Sequence, residues 1–163
     1  PDRATQLALK YISLGAPFNG THLAILEQFG CNPCQLQVSV DRGGVRVDWT
    51  LLHCAAYFGH IAGITYLVQH RANLDAKTTF GMTPLHLASS NGQVRASEVL
   101  LKSGASINVQ NKELRNELQG SALQGYDDCV DLLLRWAANP EIVDCQEATV
   151  LHAAVNGGHF AVV

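Results

Sequence analysis

Seven histidines and five cysteines are the residues of this chain best able to ligate a metal, share a proton or act as nucleophiles. His22 stands nine residues before Cys31-Asn32-Pro33-Cys34, and that cysteine spacing suits half of a zinc site or a redox dithiol. A structural zinc needs four ligands, yet no second cysteine pair follows, so a pair of reduced thiols is the competing reading. Five of the other six histidines fall into a pattern, and His70 sits in a helix-ending place that tolerates polar residues. His53, His86 and His152 each lie three residues after a threonine, while His60 and His159 each follow a glycine. Histidines set at regular intervals read as structural, and a serine or cysteine nucleophile would need one that is not already used. Asp41-Arg42-Gly43-Gly44 lacks the lysine of a phosphate-binding loop and reads as turn material. Asp127, Asp128 and Asp131 read as a solvated helix start, where the helix dipole favours acidic side chains. The sequence therefore assigns no catalytic residue, no cofactor and no metal ligand set.

The elements that carry these histidines recur. Thr50, Thr83, Asn116 and Thr149 stand at intervals of 33 residues, and Gly59, Gly92, Gly125 and Gly158 follow them at the same interval. Each interval predicts a short first helix, a glycine turn and a second helix with an apolar stripe, such as Ile64, Leu67 and Val68, or Val99, Leu100 and Leu101. Thr83 is placed to cap a helix and Pro84 to occupy its first turn. Gly104 ends a second helix in the left-handed conformation, a place taken elsewhere by Arg71 and Ala137. The third unit departs furthest, with Asn116-Glu117-Leu118-Gln119 in place of Thr83-Pro84-Leu85-His86 and Leu114 in place of Gly81, so its loop is expected to be irregular. Before Thr50 the period fails. Residues 1–19 read as the second half of a repeat, and residues 20–46 as an insertion or degenerate repeat. Alternating Leu36, Val38 and Val40, then Val45, Val47 and Trp49, predict a β-hairpin around the Asp41 to Gly44 turn.

The sequence Thr83-Pro84-Leu85-His86-Leu87-Ala88, with partial copies at Thr50 to Ala55 and Thr149 to Ala154, resembles the ankyrin repeat. The resemblance implies an all-α repeat solenoid of helix-turn-helix units with β-hairpin fingers, carrying the small hairpin insertion near its N-terminus. Residues 47–163 would hold three full repeats and a truncated fourth in one continuous stack. It also implies that the signature histidines brace neighbouring loops and that function is protein binding, through the fingers and the concave face of the first helices. Carried across to this chain, the partner-facing positions include Arg46, Trp49, Tyr57 and Phe58, then Phe80, Met82 and Asn91, then Lys112 and Arg115. Trp49, Tyr57, Phe58 and Phe80 are expected to face solvent as interface anchors; the alternative is that the insertion covers Trp49, Tyr57 and Phe58 as ordinary core. Asn108 resembles the hairpin asparagine that some ankyrin repeats offer to an asparaginyl hydroxylase.

Composition excludes several other classes. With 47% hydrophobic and 15% charged residues the chain can bury a core, and a net charge of −3 with a pI near 6.1 gives no basic footprint for nucleic acid. No apolar run is long enough to insert in a membrane. An odd number of irregularly spaced cysteines fits a reducing compartment, which places the protein in the cytoplasm or nucleus. The reading is a monomeric binding module of a longer chain, either in a scaffold or adaptor or as the regulatory or substrate-recruiting segment of an enzyme such as a kinase, a GTPase-activating protein or a ubiquitin-ligase receptor. A zinc-stabilised variant built on His22, Cys31 and Cys34 is the third alternative.

Overall fold

The computed structural model describes residues 37–42 and 45–159 together with Thr21, Leu23 and Cys34; the side chains of residues 38–42 and 45–47 lie outside that description. The partial repeat expected at 1–19 and much of the expected insertion also lie outside it. Two antiparallel strands, β1 (Gln37–Arg42) and β2 (Val45–Thr50), pair with Val38 opposite Trp49 and Arg42 opposite Val45. The second strand crosses the expected boundary at residue 46 and runs straight into the first helix.

Among the described residues seven helices follow in two rows. The inner row is α1 (Leu51–Phe58), α3 (Pro84–Ser89), α5 (Glu117–Gln124) and α7 (Val150–Gly157). The outer row is α2 (Ile61–Gln69), α4 (Val94–Lys102) and α6 (Asp127–Arg135). Each inner helix packs on the next inner helix, each outer helix on the next outer one, and each of α2, α4 and α6 on the inner helix before it. Helices of six to nine residues are too short to persist alone in water, so this lateral packing is what makes them helical. Leu51, Leu52, Ile64, Leu67, Leu85, Leu100, Leu118 and Leu133 are fully buried between the rows.

The inner helices all start with the same reciprocal bonds. Thr50, Thr83 and Asn116 are extended N-cap residues whose side chains accept the backbone N–H three residues on, while the side chain at that third position accepts the N-cap N–H. In the first two units the third residue is histidine. Nδ1 of His53 and of His86 accepts from Thr50 and Thr83 N–H at 3.1 and 3.3 Å, which leaves the proton on Nε2. Nε2 then donates across to the following loop, His53 to the Met82 carbonyl at 3.1 Å and His86 to the Arg115 carbonyl at 3.3 Å. Burial holds both imidazoles down at about 4, so they are neutral at physiological pH. In the third unit Gln119 does the same work: its Oε1 accepts from Asn116 N–H at 3.1 Å and its Nε2 donates to the carbonyls of Ala148 at 2.7 Å and Ile142 at 3.2 Å.

The fingers are equally regular, including the one expected to be irregular. Thr78, Asn111 and Asp144 each use a side-chain oxygen to accept the backbone N–H groups two and four residues on. Their own N–H groups close the turn onto Met82, Arg115 and Ala148 carbonyls. The third unit keeps the turn because Asn111 replaces Thr78 as acceptor. The turn requires positive φ at its fourth residue, where Gly81 has 77°, Leu114 60° and Glu147 60°.

Two stability outcomes follow. Gln119→Ala strands a buried N–H and two carbonyls, and should lower the unfolding free energy by about 3 kcal/mol in urea denaturation, whereas Gln119→His should lose much less because it restores the bridge. Leu114→Gly relieves a left-handed conformation on a residue that is 48% exposed, and should raise stability by about 0.5–1 kcal/mol in the same assay.

Candidate interaction face

The fingers and the inner helices together form one face, and two adjoining cavities open along it. One, of about 340 Å³, is walled by Trp49, Tyr57, Phe80, Met82, Asn91 and Tyr126 among others. Its neighbour, of about 310 Å³, takes Phe80 and Met82 as a shared wall and adds Lys112, Arg115, Leu123 and the floor residues His86 and Glu117. Concave, largely apolar surfaces with a few fixed polar groups are where binding sites form.

The anchors expected from the sequence distribute unevenly over this face. Phe80 stands at a finger tip, 46% exposed. Met82 is half-buried and its thioether sulfur accepts from Asn111 Nδ2 at 3.2 Å. Asn91 donates through Nδ2 to the Leu87 carbonyl at 2.7 Å. Lys112 is exposed, with its backbone N–H donating to the Phe80 carbonyl at 3.0 Å. Arg115 is held on both sides, Nε to Asp144 Oδ2 and Nη1 to Glu113 Oε2, each at 3.0 Å.

Trp49 departs from the expectation of a solvent-facing anchor, being only 3% exposed. Because β2 continues directly into α1, its indole is laid over the first helix, 5.3 Å from the Tyr57 ring. Tyr57 is half-buried and meets Phe58 edge-on at 4.9 Å. Phe58 stacks on His60 and walls neither cavity. Arg46 pairs with Asp41 in the hairpin; its side chain is outside the description.

Sequence reasoning missed Tyr126, a 37% exposed ring that closes the first cavity. The signal was present: Tyr126 occupies the place after the turn glycine that holds His60, Gln93 and His159 in the other units. Its ring lies over Gly92, where a β-carbon would collide with it.

The electrostatics of the floor are unusual. Glu117 occupies the place of Pro84, is 1% exposed, and accepts Asn108 N–H through Oε2 at 3.1 Å. Burial pushes its carboxyl up to about 7. Asn108, at φ 66°, passes the connection on, its Oδ1 accepting from Asn139 N–H at 2.7 Å.

Burial pushes the Cys54 thiol up to about 12 and Cys129 to about 11, so neither presents a thiolate at neutral pH. Cys34 Sγ donates to the His70 carbonyl at 3.4 Å, whereas His22 and Cys31 lie outside the described residues. Among the described residues no group of three histidine, cysteine or carboxylate side chains is placed to hold a metal ion, and no helix is long and apolar enough to cross a membrane.

Comparison with known proteins agrees with this architecture. A family profile of ankyrin repeats, three copies long, matches residues 16–111 and so runs through the segment read as an insertion. Inversin of Canis lupus familiaris is 34% identical over 147 residues, 80% of this chain and 14% of that protein. The ankyrin repeat and KH domain-containing protein mask-1 of Caenorhabditis elegans is 35% identical over 69% of this chain and 4% of its own length. The probable E3 ubiquitin-protein ligase XBOS31 of Oryza sativa subsp. japonica is 32% identical over 64% of this chain and 24% of its own. The chain thus spans a quarter or less of each of these relatives. With the profile covering more than half of it, and with the capped helix pairs, braces and fingers all in place, the chain belongs to the ankyrin-repeat family.

Proposed function

We propose that this chain is a protein-docking module and that its partner lies along the two cavities, anchored on Phe80 and Met82 and flanked by Tyr57, Asn91, Lys112 and Tyr126. Ankyrin repeats generally mediate protein–protein interaction, and the observation that carries the proposal here is Phe80. A large ring, nearly half exposed at a finger tip and shared as a wall by both cavities, is apolar surface that a partner can cover. Arg46 and Phe58 stay in the proposal as a margin of the surface. Trp49 supports the first cavity from beneath. Arg115 contributes its aliphatic stem more than its charge, since Asp144 and Glu113 already neutralise it.

The module would serve as the recognition part of a scaffold or adaptor in the cytoplasm or nucleus. A second reading is favoured by the relative named as a probable ubiquitin-protein ligase: the chain would then recruit substrates for an enzymatic domain elsewhere in a longer protein.

Peptides selected on the purified chain from a displayed random library test the surface. They should bind the Phe80→Ala variant at least about tenfold more weakly by biolayer interferometry, with thermal unfolding unchanged. Equal affinity for the variant would remove Phe80 and its cavities from the proposed site.

A further inference from the structure

Several polar side chains on the candidate face are already engaged within the stack. Arg115 is held by Asp144 and Glu113, the Asn111 oxygen by the turn of its own finger, and the Ser90 hydroxyl by the His86 carbonyl. Two primary amides keep bonding capacity. Gln124 is exposed, walls both cavities, and makes no side-chain hydrogen bond among the described residues. Asn91 walls the first cavity and donates one N–H to the Leu87 carbonyl, which fixes the amide and leaves Oδ1 and the second N–H without a partner among the described residues. The two stand one repeat interval apart, at the C-terminal ends of α5 and α3, so they hold the same place in neighbouring units.

A primary amide offers a donor and an acceptor side by side, and a residue of an extended backbone presents an acceptor and a donor in return. Packed helices lie roughly 8–10 Å apart and an extended chain advances about 3.3 Å per residue, so amides on adjacent inner helices meet backbone groups about three residues apart. A helical partner matches less well. Its backbone groups are bonded to one another along the axis, so a helix laid here covers the amides without answering them, and polar groups buried unpaired cost affinity. The cavities agree. At about 340 and 310 Å³ they admit side chains on either side of Phe80 and Met82, not a rod about 10–12 Å across.

Charge narrows the occupant further. Lys112, Glu113, Arg115 and Glu117 wall the second cavity, and no charged residue walls the first. Glu117 is buried, and Glu113 is paired with Arg115, which Asp144 also holds. Lys112 is exposed and makes no ion pair among the described residues. The charge left open on the rim is therefore positive.

We infer that the partner of this face is an extended peptide segment of acidic and apolar residues, its backbone held by Gln124 and Asn91, an apolar side chain lodged on each side of Phe80 and Met82, and a carboxylate set against Lys112. The inference deepens the docking proposal above and rests on it.

Peptides selected on the whole native chain from a displayed random library, and kept where Phe80→Ala weakens them, are the probes. Neither the Gln124 nor the Lys112 side chain bonds within the stack, so Gln124→Ala and Lys112→Ala should unfold like the native chain. Gln124→Ala should bind the peptides about five- to tenfold more weakly. N-methylation of each peptide amide in turn should find one position where binding to the native chain falls while binding to Gln124→Ala does not, the coupling that a direct bond produces. The peptides should also carry an acidic residue, whose replacement by its amide weakens binding to the native chain and leaves binding to Lys112→Ala unchanged. Phe80-dependent peptides that show no coupling to Gln124, that lack an acidic residue, or that are helical when bound would overturn this inference and leave the docking surface standing. Peptides indifferent to Phe80→Ala would remove both.

Discussion

The hydrogen bond from the third residue of each of the first three inner helices to a carbonyl 29 residues further on is the interaction on which this architecture depends. A pair of helices six to nine residues long cannot bury its apolar stripe by itself, so each unit must know where its neighbour lies. Apolar packing between leucines is not directional enough to set that position. The brace is directional at both ends: Nδ1 or Oε1 is fixed by the N-cap N–H, and the donor on the far side of the same group therefore points one way. Local capping and inter-unit registration are thus one piece of chemistry. The fingers extend the same logic, with Lys112 N–H donating to the Phe80 carbonyl and Cys145 N–H to the Glu113 carbonyl.

What matters at the brace is an acceptor and a donor on opposite ends of one short, planar group, and both imidazole and primary amide qualify. This explains why Gln119 stacks as well as histidine does although it breaks the sequence motif. It also separates the two substitutions in that unit. Gln119 preserves the function of the residue it replaces, while Glu117 brings a titratable group into a place where proline has none. Burial makes such a carboxyl costly to ionise, and the bond it accepts there is from Asn108 N–H.

The period, the glycines and the leucine stripes carried most of the fold in the sequence, because each reports a local requirement: a left-handed turn at Gly59, a buried stripe at Leu100 and Leu101. The third finger looked irregular because the eye follows Thr-Pro-Leu-His, whereas the turn is made by an acceptor side chain earlier, where Thr78, Asn111 and Asp144 are chemically alike but differ in letter. The candidate face was legible only in part. Phe80 and Met82 were visible as apolar residues on finger positions. Trp49 was expected to face solvent, whereas it is buried with its ring against Tyr57 of the first inner helix. Tyr126 escaped because its slot tolerates histidine or glutamine and so draws no attention until the ring is seen over Gly92.

The braces also bear on why the proposed docking surface lies where it does. Met82 supplies the carbonyl that His53 holds, and Phe80 supplies the one that Lys112 N–H holds, so the two residues that wall both cavities have their backbones pinned from neighbouring units. A side chain on a pinned loop gives up less freedom when a partner covers it, and that saving appears directly in affinity. Arg115 illustrates the converse: its carbonyl is held by His86, but its guanidinium is already committed to Asp144 and Glu113, leaving little charge for a partner to use. Rigidity shared by both kinds of residue cannot distinguish them, whereas unspent interaction capacity can. By that measure Phe80, pinned in backbone and open in side chain, is the position where the repeat's structural demands end and recognition begins.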